Sequence, residues 1–70
     1  MTRDEYLDEC KRTAREYVER GELVNAVNSM VSDLNKRKDT ECAAMLLIIG
    51  MMYASSFDDM AVLHWIEGFR

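Results

Sequence analysis

The chain has 70 residues and no proline, only three glycines, two cysteines and one histidine. Without proline, and with glycine only at 21, 50 and 68, little punctuates it, and no stretch alternates with a period of two. Strands are thereby excluded and an all-helical chain is expected. Cys10, Cys42 and His64 are too few for a four-ligand zinc site. Two cysteines with no leader pattern before them read as reduced thiols, so neither a disulfide framework nor a metal is expected to staple the fold. Basic residues are also in short supply, nine against thirteen acids for a net charge of -4. That balance argues against a phosphate-binding surface. Disorder is excluded in turn, because 49% of the residues are hydrophobic.

No complete catalytic set is present. Ser29, Ser32 and Asp33 fall within one helical turn but have no base beside them, and Asp59 and His64 are five apart, off helical register. There is no glycine-rich phosphate loop. Neither enzymatic activity nor a cofactor is expected.

What is present is helical periodicity. Thr2-Arg3-Asp4-Glu5 is a capping box opening a helix over 2–19. Its apolar stripe is Tyr6, Leu7, Cys10, Ala14, Tyr17 and Val18, and Gly21 closes it. Asp8–Arg12 and Glu16–Arg20 are spaced as ion pairs across one turn. A second helix over 22–36 carries Leu23, Val27, Met30, Val31 and Leu34 on one side and asparagines on the other. A third spans 40–54, with Asp39 or Thr40 as its cap, and a fourth spans 57–68 behind a Ser56 cap.

The third helix dominates the sequence. Cys42 to Phe57 is 16 residues without a charge. That is short of the roughly 20 apolar residues a membrane span needs, so a core helix is expected and no membrane partner. A helix apolar on every face must be wrapped by its neighbours, by a second copy or by a partner. Gly50 inside it suggests the close approach of another helix backbone. A chain this short buries only about 60% of its surface, so oligomerisation is the expected staple.

From Tyr17 onward the chain resembles small accessory proteins of actinobacteriophages, of the mycobacteriophage type. The resemblance rests on Ala-Val-Asn-Ser-Met-Val-Ser-Asp-Leu at 26–34, on Thr40 after a short polar link, and on Ile66-Glu67-Gly68-Phe69. Those proteins usually carry a His-Pro pair in the link, where Arg37 and Lys38 stand here. It implies a phage protein acting in the host cytoplasm and implies no activity.

The expectation is a compact four-helix bundle, a single domain with a central apolar third helix, assembling as a homodimer or larger. Leu46, Ile49, Met52, Tyr53 and Trp65 are the candidate subunit contacts. Tyr6, Arg12, Arg15, Tyr17, Asn25, Asn28 and Met30 are the candidate surface for a host or phage protein partner. The expected function is protein binding that modulates the host, with a self-assembling structural subunit as the alternative and nucleic-acid binding a distant third.

Overall fold

The first helix begins as its capping box requires. The Thr2 hydroxyl accepts from the Glu5 amide at 3.2 Å, and the Glu5 carboxylate accepts from the Thr2 amide at 3.0 Å. In the computed structural model, which describes residues 1–70, four α-helices follow one another. They are α1 (Arg3–Glu19), α2 (Leu23–Leu34), α3 (Ala44–Ser55) and α4 (Asp59–Glu67), and there are no strands. The bundle has a radius of gyration of 11.0 Å, matching the roughly 11 Å of a compact chain of this length.

Two helix ends close in the same way. After α1 the Gly21 amide donates to the Val18 carbonyl and the Glu22 amide to Tyr17, both at 2.9 Å. Gly21 takes a φ of 76°, the left-handed conformation this Schellman closure needs. After α3 the Phe57 amide donates to Ala54 at 3.1 Å and the Asp58 amide to Tyr53 at 3.3 Å. The left-handed position there is Phe57, at φ 53°.

These turns fold the chain into two antiparallel hairpins. At the far end of the first, the Tyr6 hydroxyl donates to the Asp33 carbonyl at 2.6 Å. In the second, the Trp65 indole donates to the Leu46 carbonyl at 3.0 Å. The core is built mainly by α1 and α2, through Leu7, Cys10, Ala14 and Val18 against Leu23, Ala26, Val27, Met30, Val31 and Leu34. Ala54 of α3 and Val62, Trp65 and Ile66 of α4 complete it. Helix α3 packs on α2 and α4 and does not reach α1.

Several sequence expectations change here. Helix α3 starts at Ala44 rather than Thr40. Thr40 is buried, and its hydroxyl donates to the Leu34 carbonyl at 2.7 Å, so it closes the end of α2 instead of opening α3. The N-cap of α3 is Ala43, with no side-chain cap. Ser56 ends α3, its hydroxyl donating to Met52, and the cap of α4 is Asp58, which accepts from the Ala61 amide. The ion pairs also differ: Arg12 bridges Glu9 and Glu16, while Arg20 pairs with Glu22 and lies over the Tyr17 ring.

Candidate functional surface

Helix α3 is held by its smallest residues. Of its twelve, only Gly50 and Ala54 are buried. A Cβ on Gly50 would lie 2.8 Å from the Trp65 ring and 2.9 Å from Val27. The close approach foreseen at Gly50 is thus to side chains, not to a backbone. Trp65 fills the notch, is 9% exposed, and meets Phe69 edge to face at 4.9 Å between ring centres. It locks α4 onto α3 from inside, so it is a core residue rather than a subunit contact.

With the notch facing inward, the opposite side of α3 faces out. Met45, Ile48 and Met52 each keep more than half of their surface open, and Tyr53 is also exposed. Positions 45, 48 and 52 follow the three-then-four spacing of a helix–helix seam. Leu47, Ile49 and Met51 flank it, partly buried. Phe57 comes in the next turn at 85% exposure, and Met60, in the first turn of α4, is exposed too. The wrapping expected of α3 is present on one side only. A loose fold is not the cause: the accessible surface of 4514 Å² equals the roughly 4500 Å² of a folded monomer of this mass.

Among the candidate subunit contacts, Met52 and Tyr53 therefore face outward, Leu46 and Ile49 are half-buried, and Trp65 faces in. The candidate partner surface on α1 and α2 is less open than its sequence suggests. Met30 is fully buried in the core. Tyr6 is half-buried, with Arg37 over its ring and its phenol raised above the ordinary value chiefly by desolvation. Tyr17 is half-buried under Arg20. Arg12 is occupied by its two glutamates, and Arg15 pairs with Glu67 across to α4. Asn25 donates to Glu22 at 2.9 Å, and Asn28 is simply exposed. Tyr6, Arg15 and Met30 join one helix to another, while Arg12, Tyr17 and Asn25 make local contacts. Ile48, Met45 and Phe57 were not among the candidate contacts. The signal for Phe57 was an aromatic residue between two serines and two aspartates, where turn residues are the rule.

The reactive groups are scattered. Cys10 and Cys42 are free thiols, each raised in pKa chiefly by burial, which leaves them protonated and weakly nucleophilic at neutral pH. His64 is exposed, beside a cavity of about 260 Å³ whose other walls are Leu46, Trp65, Gly68 and Phe69. No carboxylate or thiol stands there to pair with the imidazole. No three His, Cys, Asp or Glu side chains gather into a group able to hold a metal ion. No helix is long and apolar enough to cross a membrane.

No known protein family, characterised protein or solved structure matches the chain.

Proposed function

We propose that the chain is a non-catalytic protein-association module whose working surface is the outer face of α3. The observation that carries this reading is the open row Met45, Ile48 and Met52, with Tyr53 exposed beside it. Taking about 200 Å² for a side chain of this size when fully exposed, those four leave roughly 440 Å² in water. That lies within the roughly 300–600 Å² of the largest patch on an isolated monomer, a patch that is often functional. Methionine and aromatic side chains are the types enriched at the centres of interfaces. The charged face of α1 is the weaker candidate, because its arginines are already paired within the chain. The setting of this reading, the cytoplasm of a phage-infected host, rests on the resemblance of residues 17–70 alone.

Methionine oxidation in producing cells tests it. Met1, Met45, Met52 and Met60 are comparably exposed in the isolated chain, and Met30 is buried. If α3 is covered, Met45 and Met52 are oxidised by peroxide several-fold more slowly than Met1 in the cell. Equal rates at Met1, Met45 and Met52 would overturn the proposal.

A further inference from the structure

The turns that close α1 and α3 meet at one end of the bundle and leave a groove between them. Leu23, Val24 and Asn25 at the start of α2 form one side, and Ala54 and Phe57 the other, around a cavity of about 230 Å³. We infer that this groove is a binding site separate from the outer face of α3, and that it takes a basic peptide segment by one apolar anchor residue.

Size and lining set the anchor. The groove is smaller than the roughly 300–1,000 Å³ of a site that encloses a whole small molecule, so it suits one side chain of a longer chain. Leu23 and Ala54 are buried, while Val24 and Phe57 stand open beside them. An apolar recess edged by an exposed aromatic residue is how interfaces hold an anchor.

Phe57 is the part that folding does not require. The turn after α3 needs a left-handed residue at 57, and glycine meets the same need at 21. A phenylalanine there is unfavourable, and 85% of it stays in water. Backbone strain of this kind is kept where a residue contacts a ligand.

Charge specifies the rest of the occupant. This end carries Arg20 against Glu19, Glu22, Asp58 and Asp59, a net of -3 out of the whole chain's -4. Arg20 is taken up by Glu22 and by the Tyr17 ring. The next cation back along α1, Arg15, pairs with Glu67. Glu19, Asp58 and Asp59 are exposed and make no ion pair. An apolar groove at an acidic end attracts lysine and arginine around the anchor and turns acidic segments away.

Fluorescence anisotropy with three labelled peptides tests the assignment: Lys-Lys-Leu-Lys-Lys, Lys-Lys-Gly-Lys-Lys and Glu-Glu-Leu-Glu-Glu. The basic leucine peptide is expected to bind with a dissociation constant of about 0.1–1 mM, and the other two at least about tenfold more weakly. Phe57→Gly is expected to weaken the first peptide about tenfold while the melting temperature rises, so the loss does not come from misfolding. Glu19→Gln combined with Asp59→Asn is expected to flatten the salt dependence of binding. Equal affinity for the basic and acidic leucine peptides overturns the proposal, as does equal affinity of the native and Phe57→Gly chains. No binding up to about 5 mM overturns it as well. If Ile48→Asp weakens the peptide as much as Phe57→Gly does, the peptide lies on α3 and the groove is not its site.

Discussion

Helices α2 and α3 are each twelve residues long, and α3 is the more apolar, yet α2 buries six residues and α3 two. Burial here follows pattern, not hydrophobicity. Asn25, Asn28 and Ser32 give α2 a side that belongs in water, and its apolar residues therefore turn inward together. Helix α3 has no such side. Its small residues Gly50 and Ala54 are the ones turned inward, and Gly50 is where the Trp65 ring comes close. Met45, Ile48, Met52 and Tyr53 are left facing out, with Leu47, Ile49 and Met51 half-buried at the edges. The turns repeat the contrast: α1 ends on a glycine suited to its backbone, α3 on a phenylalanine that is not.

The contrast can be broken most forcefully in α2. Met30→Ala empties a fully buried site and is expected to cost about 2–5 kcal/mol, read as a fall in chemical-denaturation midpoint. Met52→Ala, the same change on the outer side of α3, is expected to stay within about 0.5 kcal/mol for the dissociated chain. Gly50→Ala comes next. Despite the better helix propensity of alanine, a Cβ 2.8 Å from the Trp65 ring forces the two helices apart, for a net loss of about 1–3 kcal/mol. Tryptophan emission should shift to the red in the same variant as the indole meets water.

Phe57→Gly sharpens the comparison from the other side. Relieving the left-handed backbone should stabilise the dissociated chain by about 1 kcal/mol, seen as a higher melting temperature in dilute solution.

The smallest effect concerns acid. The Thr2 backbone and hydroxyl hold the Glu5 carboxyl below its ordinary value of 4.5. A carboxyl depressed by folding lends stability above its unfolded pKa, and that stability is lost as pH falls through the folded value. Amide exchange at the start of α1 should therefore quicken below about pH 4, and the Glu5→Gln variant should lose most of that pH dependence.

Much of the fold was legible because its signals are local. The capping box at Thr2, the glycine closure at 21 and the stripe of α2 each depend on residues within one turn of one another. Thr40 misled for a physical reason: a threonine before an apolar run suits an N-cap, but its hydroxyl found the Leu34 carbonyl behind it. The surface was less legible. Tyr6, Tyr17 and Arg15 looked available in sequence and are engaged by contacts reaching as far as Asp33 and Glu67. Trp65 looked like an interface aromatic, and only packing shows that it fits against Gly50. The outward side of α3 could not be read from α3 itself, since a helix without polarity does not announce its inner face.

The central claim is that the outer face of α3 serves association and not folding. Melting temperature at about 1 µM tests it directly on the native chain and on Ile48→Asp. The two are expected to melt at the same temperature. If Ile48→Asp instead melts well below the native chain, Ile48 belongs to the fold and the account is contradicted.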